Sequence, residues 1–399
     1  MKLLNVLPTL DPAAGGPVEG VRQSALALQA MGHIVEAATL DAPGTPFLSN
    51  APLPVAALGP ARGKYGYAPR AHAWLREHAP RFDAVIVHGL WQYPGFVTRQ
   101  ALHAQGVPYY VFAHGMLDPW FKKTYPFKHA KKWLYWPWGE YRVLRDARAV
   151  LFTTDEERLL AKQSFWLYRA RERVVSFGAS SAPADDARLR AAFLSAFPAL
   201  AGQRLLLFLG RLHPKKGCDI LLHAFAHVAK RDATLHLVFA GSGDGETTSR
   251  LHALAQRLGI AERVTWAGLL QGDLKWGALA ASDAFVLPSH QENFGVAVVE
   301  ALASGTPVLI SDKINIWREI AADGAGFVAS DTVAGAVANL RRWLALDARS
   351  RASMRTHARA AFLARFTTDA HVLRLLHAIE EDRDTGAVAC RRGVKRCVG

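Results

Sequence analysis

The stretch "AFVLPSHQENFGVAVVEALASGTPVLIS", residues 284–311, holds one complete structural unit. "AFVLPS" (284–289) is an unbroken apolar run closed by Pro-Ser, and "PVLIS" (307–311) is a second. Between them, from about 295 to 304, small and β-branched residues run without a turn signal until Gly305, which predicts a buried helix. A continuous apolar strand on each side of such a helix predicts a parallel sheet covered on both faces, because an open sheet face would alternate polar and apolar residues.

Working outward, the same alternation fills the chain. Toward the N-terminus lie "LLLFLG" (205–210), a helix over 217–230, "LHLVFAG" (235–241), a helix over 246–258 and "VTWAG" (264–268). The first half repeats the pattern with "LLNVLP" (3–8), "HIVEAATL" (33–40), "AVIVH" (84–88), "YYVFAH" (109–114), "AVLFTT" (149–154) and "RVVSF" (173–177), with helices at 18–31 and 69–78. Residues 178–203 interrupt the rhythm with Gly, Ser, Pro and Asp and read as the interdomain connection. Beyond 331 the pattern is helical to about 382, and 384–399 is aperiodic and basic, which predicts a mobile tail. The expected fold is α/β with two tandem Rossmann-like, doubly wound domains over 1–180 and 203–365; 399 residues, half of them hydrophobic, suffice for two cores.

Composition narrows the setting. Cys218, Cys390 and Cys397, at unrelated spacings, encode neither a disulfide framework nor a Cys-rich metal site, and suit a reducing cytoplasm. "MKLLNVLPTLDPAAGG" meets Pro8 and Asp11 too early for a signal peptide, and nothing approaches the roughly 18 to 20 apolar residues of a bilayer span. A formal charge of +14 points to an anionic partner. Residues 121–148 concentrate Lys122, Lys123, Lys128, Lys131, Lys132, Arg142, Arg145 and Arg148 among Phe121, Tyr125, Phe127, Trp133, Tyr135, Trp136, Trp138 and Tyr141. Cations flanking aromatics are what an anionic membrane surface binds; an ordinary amphipathic helix with core aromatics and solvated lysines is the competing reading.

Strand-to-helix loops are where such sheets bind ligands, so their polar residues are the candidates. "HQENFG" sets Glu292 in one loop and Glu300 eight positions on, in the following helix. Carboxylates accept hydroxyl hydrogen bonds in pairs, and the amides of Asn293, Phe294 and Gly295 lie at a positive helix end. "GRLHPKKG" (210–217) places Arg211 and Lys216 where a fork and a point charge can converge on a diphosphate, without the spacing of a P-loop. "DPAAGGP" (11–17) offers Gly15 and Gly16 for close backbone approach. His114, in "VFAHGMLDPW", ends a strand where it can donate to a substrate hydroxyl or meet developing charge; His88 ends the preceding strand in the same way. "FAGSGDGE" (239–246) is not a dinucleotide fingerprint, which disfavours an NAD-dependent oxidoreductase.

Taken together, "GGP", "HGMLDPW", "GRLHPKKG" and "HQENFGVAVVEALASGTPV", in this order and over nearly the whole chain, resemble the retaining glycosyltransferases of family 4, the group 1 enzymes of the GT-B fold, and most closely the bacterial branch that builds exopolysaccharide and lipopolysaccharide. Asn293 stands where that family commonly has Gly, and "NIWREI" (315–320) departs from its shorter Pro-containing segment. The resemblance implies two domains facing a cleft, with a C-terminal helix near 366–382 crossing back to the first. It implies transfer of a sugar from a nucleotide-diphosphate sugar to a lipid-linked or saccharide acceptor at the cytoplasmic membrane face, without cofactor or metal. Glu300 would then hold ribose, Glu292 and the 293–295 amides the sugar, Arg211 and Lys216 the leaving diphosphate, Gly16 the donor, and His114 the region of the anomeric carbon. An epimerase or phosphorylase of the same fold is the alternative. A nucleic-acid-binding protein is disfavoured, since the dispersed arginines form no recognised module.

Overall fold

The computed structural model describes the backbone of residues 1–394 and the side chains of residues 1–383. The chain divides into two compact units, one comprising Met1–Gly178 with the residues from Thr368 onward, the other Ala179–Thr367.

The first unit holds seven strands: β1 Lys2–Leu7, β2 Ile34–Thr39, β3 Val55–Ala57, β4 Ala84–His88, β5 Tyr109–Phe112, β6 Ala149–Phe152 and β7 Glu172–Val174. They lie in the order β3-β2-β1-β4-β5-β6-β7, with every neighbouring pair parallel. The second unit has β8 Arg204–Leu209, β9 Leu235–Ala240, β10 Val264–Gly268, β11 Ala284–Leu287, β12 Val308–Ser311 and β13 Gly326–Ala329, in the order β10-β9-β8-β11-β12-β13, again all parallel. The expected α/β class of two doubly wound units is the one observed. The central strands are buried on both faces, as their unbroken apolar runs require: Leu3, Leu4, Val6 and Leu7 in β1 and Leu205 to Phe208 in β8 are almost fully enclosed. β3 and β13, both short and only partly buried, were not among the expected strands, because three or four residues give no period to read.

Where expected bounds miss, backbone conformation explains it. β5 stops at Phe112 rather than running to 114 because His114 and Gly115 take φ of 49° and 74°, which no strand accommodates. Residues 178–203 are not a plain connection. Asp185 caps the helix Asp186–Ala196 by accepting the Arg188 N–H at 3.0 Å, and that helix packs on Gly272–Ala281 in the second unit. The seam depends on Gly277, where a Cβ would lie 2.2 Å from the Leu189 carbonyl oxygen and 2.9 Å from the Phe193 Cβ.

The last helix, Thr368–Val394, belongs to the first unit and packs on Gly16–Ala30, burying His371, Val372, Leu375 and Ile379. It continues through 384–394, which corrects the aperiodic reading of that stretch; Cys390 falls within it, whereas 395–399, with Cys397, lie outside the described residues. No helix among the described residues is long and apolar enough to cross a membrane.

In each sheet the chain winds outward from two adjacent central strands in opposite directions, β1 and β4 in one and β8 and β11 in the other. Loops leaving the carboxyl ends of such a pair diverge, and the crevice between them is where doubly wound sheets bind ligands. Gly277→Ala, in the seam between the helices Asp186–Ala196 and Gly272–Ala281, is expected to lower unfolding free energy by about 1–3 kcal/mol through overpacking, read by urea denaturation; an unchanged midpoint would remove the seam from the account.

Candidate functional site

In the second unit the switch-point loops are clasped together. The loop after β8 makes a short 3-10 turn, Pro214–Lys216, capped by His213 and closed by Gly217 at φ 67°. A Cβ on Gly217 would stand 2.3 Å from the Pro288 carbonyl oxygen, so only glycine lets this loop lie against the chain leaving β11. The His290 N–H donates to the Lys215 carbonyl at 2.8 Å and closes the contact.

This clasp brings Lys216 and Glu292 together, Nζ to Oε1 at 2.6 Å. The Glu292 backbone is fixed from the other side: its N–H donates to the Lys313 carbonyl at 2.9 Å and its carbonyl accepts the Asn315 N–H at 3.1 Å. The Asn315 side chain, itself buried, also donates to the Asn293 Oδ1 at 3.4 Å. The start of "NIWREI", to which sequence assigned no role, thus backs the Glu292 loop. Gly295, at φ 73°, caps the helix Val296–Ala303, and Glu300 lies about one turn along it. Glu300 is held by a cation that sequence reasoning missed: Lys275 Nζ donates to its Oε1 at 2.7 Å. No motif marks Lys275, which comes from a helix outside the quoted segments.

Arg211 is exposed on the loop after β8. The loop's field is visible at His213, whose imidazole is pushed below its ordinary pKa first by burial, then by the cations Arg211 and Lys215, with Lys216 adding a smaller share. His213 Nδ1 accepts the Lys215 N–H at 3.1 Å, which leaves Nε2 as its proton-bearing nitrogen. The site is therefore a positive loop beside two acids, each already paired with a lysine. It can take a ligand carrying both phosphate charge and hydroxyls. The Phe294 ring is buried against Phe366, with centroids 5.8 Å apart, so its side chain serves the core and its backbone amide, the part expected to meet a ligand, is what it can offer.

In the first unit the loop after β1 carries Gly15, at φ 89°, as the cap of Gly16–Ala30, and both glycines are exposed. A Cβ on Gly15 would meet nothing within 4 Å, so φ rather than crowding selects glycine there. After β5, the strained His114 turn is fixed by Glu157, which is buried and accepts the Gly115 N–H at 2.6 Å, the Thr153 N–H at 2.6 Å and the Thr153 hydroxyl at 2.7 Å. Burial holds the His114 imidazole down at about 3 and that of His371, on the last helix, at about 4; His88 is likewise well below its ordinary value. His114 stacks on Phe112 with centroids 4.6 Å apart and meets the edge of Phe177 at 6.1 Å.

Comparison with known proteins assigns each half. Residues 15–178 match the family described as glycosyl transferase 4-like domain, and residues 194–361 that described as glycosyl transferases group 1. D-inositol 3-phosphate glycosyltransferase of Nocardia farcinica is 34% identical over 182 residues, which cover 44% of this chain and 40% of that protein. The chain spans about two fifths of the length of such curated relatives. Among solved structures, Anabaena Alr3699/HepE in complex with UDP and glucose superposes with a TM-score of 0.73 at 19% identity, covering 96% of this chain and 100% of that one. WaaG, a glycosyltransferase involved in lipopolysaccharide biosynthesis, gives 0.62 at 20% identity, covering 95% and 98%. At these identities the two structures establish the fold.

Glu157→Ala would leave three donors without their acceptor, two of them backbone. It is expected to cost about 2–4 kcal/mol of stability by denaturant titration. A loss within 0.5 kcal/mol would mean that the carboxylate does not hold the turn.

Proposed function

Since its first half carries a glycosyl transferase 4-like domain and its second a group 1 domain, we propose that this chain transfers a sugar, with retention, from a nucleotide-diphosphate sugar. The observation that carries the reading is the clasped loop pair in the second unit, where Lys216 and Glu292 stand 2.6 Å apart. Lys216 with Arg211 neutralises the diphosphate as it leaves, the task a divalent metal performs elsewhere, so the reaction runs without one. Glu292 and the backbone at Asn293 and Gly295 hold the sugar hydroxyls, and Glu300 the ribose. Gly15 and Gly16 let the backbone approach the donor, and His114 serves the sugar. These assignments rest on the motif resemblance and on the geometry within each unit.

For the acceptor we favour a lipid-linked saccharide of cell-surface polysaccharide synthesis, met at an anionic membrane. The support is an apolar and basic surface on the first unit. The helix Pro126–Tyr135 buries none of its residues; Phe127 is 87% and Leu134 79% exposed, and Trp138 and Trp166 are 70% and 69% exposed, the Trp166 ring lying against Trp133 of that helix. Lys122 and Lys131 line this surface with Phe127, Trp133 and Leu134, and Lys128 is exposed on the same helix, so aromatics at headgroup depth would be flanked by cations. The core-helix reading of 121–148 holds only for parts of it, such as Trp136, Val143 and Leu144, which are enclosed. A second acceptor class, a small phosphorylated polyol, is favoured by the inositol-phosphate transferase relatives.

Three outcomes are expected. Lys216→Ala and Glu292→Ala each lower sugar transfer at least ~100-fold while circular dichroism stays native; full activity in both sinks the assignment. Transfer by wild-type enzyme survives excess EDTA, and its abolition would place a metal in the reaction. Vesicles containing anionic lipid sediment the wild-type chain, and Phe127→Ser with Leu134→Ser reduces the bound fraction about tenfold or more. No binding to either kind of vesicle would argue for the soluble phosphorylated acceptor, and equal binding to neutral vesicles would remove the lysines from the account.

A further inference from the structure

Three polar groups in the first unit, buried Asn5 and the partly buried His88 and His114, form a chain that the transferase assignment leaves unexplained. Asn5, on the central strand β1, is 7% exposed among leucines and valines. Its Oδ1 lies 2.9 Å from His88 Nε2, and His88 Nδ1 lies 3.0 Å from His114 Nε2. A buried amide in the middle of a sheet is costly unless a partner satisfies it, and here its partner is the residue that touches His114.

The protons in this chain follow from counting. Burial disfavours the charged form of both imidazoles, so each carries one N–H. With the Asn5 amide turned so that its Oδ1 faces His88 Nε2, that oxygen can only accept, which places the His88 proton on Nε2. His88 Nδ1 is then a bare lone pair, and it can satisfy His114 Nε2 only if that nitrogen carries the proton. The His114 Nδ1 is left as an acceptor. Both rings are held in position: His88 and His114 stack at 5.3 Å, and the His114 backbone is kept in its left-handed turn by Glu157 through Gly115.

We propose that Asn5 and His88 are positioning residues that fix the tautomer of His114, so that its Nδ1 presents a hydrogen-bond acceptor, suited to a sugar hydroxyl, rather than a donor. This revises the expectation that His114 donates. What His114 serves rests on the transferase reading; the tautomer does not, and the two fail separately.

The test is two-bond nitrogen–proton correlation spectroscopy on 15N-histidine-labelled protein at neutral pH, with the 88 and 114 resonances assigned by their loss in His88→Phe and His114→Phe. Both rings are expected to be neutral with the proton on Nε2. A proton on Nδ1 of either ring, or a charged imidazole, overturns the chain whatever the activity. His88→Phe keeps a flat ring but removes the acceptor; His114 should then shift to a mixture of tautomers. If transfer is measurable, kcat should fall about tenfold with donor KM within about twofold. His88→Asn, whose amide oxygen can stand near the Nδ1 position, should restore the Nε2–H form and most of kcat. An unaltered His114 spectrum in His88→Phe would also refute the proposal.

Discussion

The second unit's site depends on one close approach: the loop after β8 lies against the chain leaving β11 because Gly217 has no side chain to meet the Pro288 carbonyl. From that contact follow the His290–Lys215 backbone bond and the 2.6 Å pairing of Lys216 with Glu292. Sheet order makes the approach available, since β8 and β11 are the adjacent strands from which the chain winds both ways. Backbone conformation then decides which residues can use it.

Charge is distributed in that site so that it is nearly balanced before any ligand arrives. Lys216 faces Glu292 and Lys275 faces Glu300, all four partly buried. A diphosphate and a set of hydroxyls can replace these partners without leaving an unpaired charge, the phosphates drawing the lysines and the hydroxyls donating to the carboxylates. Exposed Arg211 and the positive field felt by His213 add the excess cation that a doubly charged leaving group calls for. The first unit is organised differently: His88 and His114 are partly buried, held below their ordinary pKa by burial and orientated by hydrogen bonds rather than by ions.

Much of this was legible in the residues. Unbroken apolar runs such as "LLLFLG" and "AFVLPS" can only be strands covered on both faces, so the two parallel sheets followed. Arg211, Lys216, Glu292 and Glu300 stood out because each lies in, or just past, a loop after such a strand. What escaped was whatever depends on contacts distant in sequence. Lys275 reaches Glu300 from another helix, Asn315 supports Glu292 from the loop after β12, and Asn5 is explained only by His88, 83 positions away. The helix Asp186–Ala196 was hidden by a composition that reads as a linker, and its reason lies in the Gly277 surface it packs on. For Phe294 the residues pointed to the backbone amide, and only the fold shows that its ring is enclosed against Phe366.

The most direct test of the clasp as a binding device is calorimetric titration of UDP, GDP and ADP into the wild-type chain and into Gly217→Val. One of the diphosphates should bind the wild type at one site per chain, and the valine variant should lose that binding while remaining folded. Undiminished affinity in the variant, or no binding of any diphosphate to the wild type, would contradict the account.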